Sequence, residues 1–274
     1  MLSGGLRSKG IAKKSEKNAP LITIITVVFN GAKTLEDTIL SVTNQDYKNI
    51  EYIIVDGNSS DSTLDIIKKY EDKIDYWISE SDKGIYDAMN KGIDLACGDW
   101  INFMNSGDSF CNNCVLSEVF KKDFENVSMI FGNTHKIYDF GEVDSKPIPS
   151  FPDKKNPMPF VHQSSFVNAK DAKEYHFNIQ YRIAADLDLS FRLFNAGKKF
   201  EYVDVLISNY ENSEGVSSVN PLKWYKDYLN IINPRFKKSR YVLKRLKTWL
   251  RKIVKSLIPA FLLKDYRRRR FIGK

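Results

Sequence analysis

Continuous apolar runs alternating with stretches of helical period set the rhythm of the first half of the chain. "LITIITVVFN", Leu21 to Asn30, is a β-branched run of the kind a strand buried on both faces requires. Residues 32–45 then place Ala32, Leu35, Ile39 and Val42 at helical spacing. Ile50 to Val55 reads as a second buried strand. It is followed by the polar turn Asp56–Gly57–Asn58 and a helix carrying Leu64, Ile66 and Ile67, with Asp61 placed to cap it. A short strand, Tyr76 to Ser79, leads into a helix from about Ile85 to Ala96 that Gly98 closes. Ile101 to Met104 forms the next strand and stops abruptly at Asn105–Ser106–Gly107–Asp108. This alternation predicts an α/β domain with a mostly parallel sheet.

Beyond residue 128 the pattern shortens to strands and turns, and a Pro-rich stretch from Pro147 to Pro159 leads to "FVHQSSFV". "DLDLSFRLFNA", residues 186–196, predicts a helix capped by Asp186 and ended by Gly197. "KKFEYVDVLISNY" returns to strand as an edge or late addition to the sheet. Residues 1–20 are polar, basic and aperiodic, the pattern of a mobile arm.

Composition changes the picture mainly through the distribution of charge. With 274 residues, 42% hydrophobic and 28% charged, the chain folds around a sizeable core. The formal +8 is segregated: residues 235–274 carry 16 Lys or Arg and one acid, while the first 234 carry 26 basic and 33 acidic side chains. The body is therefore mildly acidic, and any partner argument from charge concerns the tail alone. There, Val242, Leu246, Trp249, Ile253 and Leu257 form one helical stripe, Lys and Arg fill the rest, and "RRRR" follows at Arg267 to Arg270. That is the composition of a helix lying in an anionic membrane interface, and the alternative is a helix packing its stripe on the domain. Leu257 to Leu263 is too short to span a bilayer, and the basic N-terminus lacks a signal-peptide core. The expectation is a cytoplasmic protein, peripheral on the inner face of the membrane. Of three cysteines, Cys111 and Cys114 have CxxC spacing, only half a zinc site, and are read as free thiols. A nucleic-acid-binding reading of the basic tail is opposed by the acidic body and by the lack of interleaved aromatics on an exposed sheet. No GxGxxG follows the first strand, which disfavours a dinucleotide-dependent oxidoreductase.

In such sheets ligands bind at the carboxyl ends of the strands. Three loops therefore converge: Phe29–Asn30–Gly31, Asp56–Gly57–Asn58 and Asn105–Ser106–Gly107–Asp108. Asp56 suits either a ligand contact or its own turn. Tyr86 and Asn90, four apart on the flank of a helix, can both face that end, and Asn90 is the preferred ligand.

The segments "ITVVFNGAKTLEDTILSVTNQDYKNIEYIIVDGNSSDST", "SESDKGIYDAMNKGIDLACGDWINFMNSGD", "HQSSF" and "AADLDLSFRL" occur in that order. Together they resemble the family 2 glycosyltransferases of the GT-A fold, enzymes that build bacterial capsule, O-antigen and exopolysaccharide. The resemblance covers about residues 21–212, leaving residues 1–20 as an arm and 213–274 as a basic helical extension. It implies a Rossmann-like sheet flanked by helices and transfer of a sugar from a nucleoside-diphosphate sugar, UDP-linked, with inversion. The acceptor it implies is a glycan or a lipid-linked glycan.

By the same resemblance, Val28, Phe29, Asp56, Asp82, Asn90 and Asn105 contact the donor. Asp108, the last residue of a reduced DxD-type motif, holds a divalent Mg2+ or Mn2+ that neutralises the pyrophosphate. Asp186 takes the position of the catalytic base, with helix capping as its structural alternative. His162 and Gln163 fall in the acceptor-side loop, and Arg192 reaches phosphate or lies on a solvated helix face.

Overall fold

The computed structural model describes residues 1–16, 19–147, 158–211, 220–232, 235 and 237–256. The predicted parallel strands are present as β2 (Ile22–Val28), β3 (Ile50–Asp56), β4 (Tyr76–Ser79) and β5 (Trp100–Phe103). They pair side by side in the order β4-β3-β2-β5. The side-chain period of two explains why their sequences run continuously apolar. On β2, Ile22, Ile24 and Val28 enter one core, and Ile25 and Val27 the other.

The first core is covered by α1 (Leu35–Thr43), α2 (Thr63–Lys69) and α4 (Val115–Val119). The second lies under α3 (Ile85–Leu95), α5 (Ala169–Tyr175) and α6 (Ala185–Asn195). Each branched side chain so enclosed stabilises the fold by about 1.5–3 kcal/mol. α3 sits so close to β2 that a Cβ on Gly92 would stand 2.6 Å from Ile25 Cγ2, so only glycine fits there.

The second half adds β6 (Ser109–Phe110), β7 (Val127–Tyr138), β8 (Gly141–Ser145), β9 (Ser165–Asn168) and β10 (Lys199–Glu211). β9 runs antiparallel between β5 and β7, while β10 pairs parallel with β7 and antiparallel with β6. β10 is thus not the edge: β6 lies outside it, and β8 hairpins onto β7. The α/β class with a parallel core is as expected.

Two expectations at the ends of the chain are corrected. Residues 1–16 are not a loose arm. β1 (Leu2–Gly4) pairs antiparallel with β4, and Arg7 and Lys13 reach buried carboxylates. Arg7 Nη1 stands 3.3 Å from Glu51 Oε1 and 2.8 Å from the Leu95 carbonyl, and Lys13 Nζ stands 2.9 Å from Asp75 Oδ2. Glu51 and Asp75 lie inside the sheet and need cationic partners there, which the arm supplies. At the other end, α7 (Pro221–Ile232) belongs to the domain rather than to a separate extension, because Ile231 packs with Ala184 and Leu187 of the α6 region. α8 (Lys237–Ser256) follows. Residues 213–219 and 257–274, with Leu257 and Arg267 to Arg270, lie outside the described residues, as do 148–157 of the Pro-rich stretch.

Candidate active site

The three predicted loops meet at the carboxyl end of the parallel strands, and side chains stitch the first two together. The Asn30 amide donates to Ser59 Oγ, Ser60 N–H donates back to Asn30 Oδ1, and Gly31 N–H donates to Thr63 Oγ1. Asp61 accepts from Ala32 N–H and from Thr63, so it joins the loops, while the cap position of α2 falls to Ser62 rather than to Asp61. Asn30 and Asn58 adopt positive φ, which asparagine tolerates.

Within this platform Phe29 is 66% exposed and, with Asp82, closes over Gly57. A Cβ on Gly57 would come 2.6 Å from Asp82 Oδ2 and 3.3 Å from Phe29 Cδ2. These two groups are accessible for a donor. Val28 and Asp56 are not. Val28 points into the core beneath α1. Asp56 is fully buried and its oxygens are taken by Ser59 N–H, Ser59 Oγ and Ser79 Oγ, so it holds the turn that presents Gly57 and Asn58.

The opposite rim is a chain of polar contacts across the sheet. Asp108 N–H donates to the Asn105 carbonyl at 2.9 Å, closing the turn after β5. Gln163 Nε2 donates to Asp108 Oδ2 at 2.7 Å. Asn105 Nδ2 lies 3.1 Å from His162 Nε2, and His162 Nδ1 faces Asp186 Oδ2 at 3.5 Å. With the amide so oriented, His162 accepts at Nε2 and carries its proton on Nδ1, directed at Asp186. The other oxygen, Asp186 Oδ1, lies 3.1 Å from the Tyr86 hydroxyl, which is also 3.0 Å from the Ile183 carbonyl. Burial, and then the Asp186 charge, push the Tyr86 pKa well above 10, so it stays a donor.

Asp186 occupies the first turn of α6 rather than the cap, and both it and His162 remain about one-fifth exposed. Their inner flank is an apolar cavity of about 20 Å³, lined in part by Phe103, Phe160, Phe177 and Leu189. His162 and Gln163 therefore belong to the site, but as supports of Asp186 and Asp108.

Two further expected ligands, besides Val28 and Asp56, are removed from the site. Asn90 uses both ends of its amide on Phe177, donating to the carbonyl and accepting from the N–H. Arg192 pairs with Asp188 Oδ2 at 2.7 Å and donates to the carbonyls of Tyr175 and His176, fixing α5 against α6. Two residues take the vacated importance. Tyr86, four residues before Asn90, holds Asp186. Asn102, fully buried on β5, donates to the Gln163 and Ser165 carbonyls and so seats the His162–Gln163 segment. Asn102 is a polar residue inside an apolar strand, and that misfit was the available signal.

The residues near Asp108 fit an oxygen-liganded divalent cation. Among the described residues no three His, Cys, Asp or Glu side chains converge, so Asp108 is the principal charged donor. However, the buried Asn105 Oδ1 and Gln163 Oε1 have no hydrogen-bond partner among the described residues. Buried acceptors without donors call for a cation or a ligand N–H or O–H. One carboxylate with neutral oxygens suits a Mg2+- or Mn2+-like ion that completes its shell with substrate phosphate.

A strand-end carboxylate beside buried amide oxygens is linked through Asn105 and His162 to a partly exposed helix-start carboxylate, an arrangement suited to group transfer on an α/β sheet. Comparison with known proteins supplies the family. The profile of Glycosyl transferase family 2 matches residues 23–191, and the chain belongs to that family of glycosyltransferases.

A PGL/p-HBAD biosynthesis glycosyltransferase of Mycobacterium bovis is 29% identical over 208 residues, 73% of this chain and 80% of its own length. The GalNAc(5)-diNAcBac-PP-undecaprenol beta-1,3-glucosyltransferase of Campylobacter jejuni is 34% identical over 118 residues, 42% of this chain and 38% of its own. Two solved structures share the GT-A fold. S. aureus TarS 1-349 with UDP-GlcNAc gives a TM-score of 0.62 at 17% identity, over 77% of this chain and 65% of that one. Mannosyltransferase PcManGT from Pyrobaculum calidifontis, with GDP-Man and Mn2+, gives 0.62 at 14% identity, over 85% and 73%.

Proposed function

We propose that the protein transfers a sugar, with inversion, from a nucleoside-diphosphate sugar to a hydroxyl of a glycan or lipid-linked acceptor in bacterial surface polysaccharide synthesis. The observation that supports this reading is the chain Asp108–Asn105–His162–Asp186, which sets in one frame the two carboxylates proposed as the phosphate-side group and the base. Phe29, Gly57 and Asp82 receive the nucleotide side of the donor. The solved relatives bound to UDP-GlcNAc and GDP-Man support a sugar nucleotide as donor, and the proposed base moiety is uracil.

Asp186 takes the proton of the acceptor hydroxyl as its oxygen attacks the anomeric carbon. The bond to the pyrophosphate breaks on the far side, and the nucleoside diphosphate leaves with the electron pair. Tyr86 and the His162 Nδ1–H hold the two oxygens of Asp186 in place. Asp108, with Asn105 and Gln163 beside it, would hold a divalent cation, which supplies charge neutralisation to the leaving diphosphate.

A panel of nucleotide sugars, read by thermal stabilisation with Mg2+ or Mn2+ and by the anomeric configuration of the product, tests the reading. Asp186→Asn keeps donor stabilisation and loses about 10²–10⁴ of turnover. Wild-type turnover in that variant, or a product of retained configuration, overturns the assignment.

A further inference from the structure

α8 is oriented with its apolar face away from the protein. At about 100° per residue, Val242, Leu243, Leu246, Trp249, Leu250, Ile253 and Val254 fall within an arc of roughly 140°. The nine Lys and Arg of Lys237–Ser256 all lie outside that arc, and the helix contains no acid. Val242, Leu243, Leu246, Trp249 and Leu250 are each more than half exposed. The half-buried positions of the same turns are Tyr241, Lys244 and Thr248, on the polar side. Lys244 Nζ sits 5.1 Å above the Tyr225 ring of α7. A helix stabilised by packing its stripe on the domain would present the reverse arrangement.

We propose that this face docks on an anionic lipid bilayer, and that α8 lies in the interface. Among the described residues no helix is long and apolar enough to cross a membrane, so α8 lies on the surface rather than spanning it. The charge selects the occupant. A second copy of α8 on the same face would bring two sets of nine cations together, whereas an acidic headgroup layer neutralises them. Each Lys or Arg near such a surface strengthens binding roughly fivefold. Nucleic acid would use the cations and leave the apolar arc in water.

The docking face is also tied to the catalytic carboxylate. α7, on which α8 rests, packs Ile231 against Ala184 and Leu187, and Asp227 accepts from Ile183 N–H beside Asp186. This last connection rests on the proposed function: membrane docking brings a lipid-linked acceptor to Asp186.

The test is cosedimentation of the full chain with vesicles of phosphatidylcholine alone and of phosphatidylcholine containing phosphatidylglycerol. A second, full-length protein carries Leu246→Glu and Leu250→Glu. The wild type is expected to sediment with the anionic vesicles only, and salt weakens the association without ending it. The double variant loses at least about tenfold in partition, since two leucines no longer enter the interface. Its thermal stability and its stabilisation by UDP stay at wild-type values, because Leu246 and Leu250 are each more than half exposed. Equal partition of the two proteins, or partition blind to lipid charge, overturns the proposal. So does a wild-type dimer that the double variant converts to monomer, which would give the face to a second copy. Vesicle binding without any nucleotide stabilisation would keep this proposal and sink the transferase reading, so the two fail separately.

Discussion

Replacing Tyr86 by phenylalanine removes one oxygen atom from the support of Asp186 and little else. The ring stays packed on Phe177, with centroids 5.3 Å apart, so no cavity of consequence opens. The lost hydroxyl lies 3.1 Å from Asp186 Oδ1 and 3.0 Å from the Ile183 carbonyl. A hydrogen bond to a charged group contributes about 1.5–3 kcal/mol, and sharing with the carbonyl places this one near the lower end. If the hydroxyl holds the base for proton transfer, about 1.5–2 kcal/mol appears in the barrier, a fall of roughly 10–30-fold in kcat. Global stability falls by about 1 kcal/mol. The donor KM should not move, because the Tyr86 hydroxyl is engaged by Asp186 and the Ile183 carbonyl and not by the groups placed on the donor. The assay is steady-state turnover with kcat and donor KM resolved, alongside chemical denaturation. An unchanged kcat with reduced stability would show that the hydroxyl serves only the Ile183 carbonyl, and the support argument would be wrong.

Asp108→Asn retains an oxygen to accept from Gln163 Nε2, so folding should survive while metal-dependent stabilisation by UDP disappears. Full metal dependence in the variant would remove Asp108 from the cation site. The β7–β8 hairpin should respond to pH through His135, whose pKa is raised above 6.5 mainly by its hydrogen bond to Asp144, with burial opposing. A raised folded-state pKa stabilises below the unfolded value of about 6.5 and is lost as pH climbs through the folded value. Hydrogen exchange of the Glu142–Ser145 amides should therefore accelerate, beyond its intrinsic pH dependence, as pH rises above about 6.5. His135→Gln should abolish that excess, and an equal excess in the variant would refute the pairing.

Much of the fold and the rough position of the site were legible because burial on both faces leaves an unbroken apolar run, as at Ile22–Val28, with function gathered where such runs stop. Asp108 was placed by that logic, whereas Asp186, at the start of a helix, was reached only through the resemblance. The N-terminal strand could not, because Arg7 and Lys13 look solvated until the buried Glu51 and Asp75 they serve are located across the sheet. Asn90 and Arg192 are polar residues on helix flanks, and local spacing does not distinguish a ligand from a tie to a neighbouring backbone. Phe177 and the carbonyls of Tyr175 and His176, to which they are tied, lie at the end of α5 and in the turn after it, distant from Asn90 and Arg192 along the chain. Tyr86 was visible as a candidate and passed over for Asn90. The choice turned on a contact with residue 186, a hundred positions away.

The parallel pairing of β7 with β10 has a consequence for the order of assembly. Parallel neighbours need a crossover, and this one encloses everything from the end of β7 at Tyr138 to the start of β10 at Lys199. His162, Gln163 and Asp186 all lie inside that loop, and β10 also holds β6, which follows directly after Asp108. During synthesis the parallel strands around β2 can pair while the chain is still short. The base-bearing half must wait until β10 has left the ribosome and closed contacts roughly seventy residues long, the slow kind of step in folding. A nascent chain stopped before Lys199 would therefore carry the donor loops with the β7 edge that pairs with β10 left open, an exposed sheet edge of the sort chaperones engage.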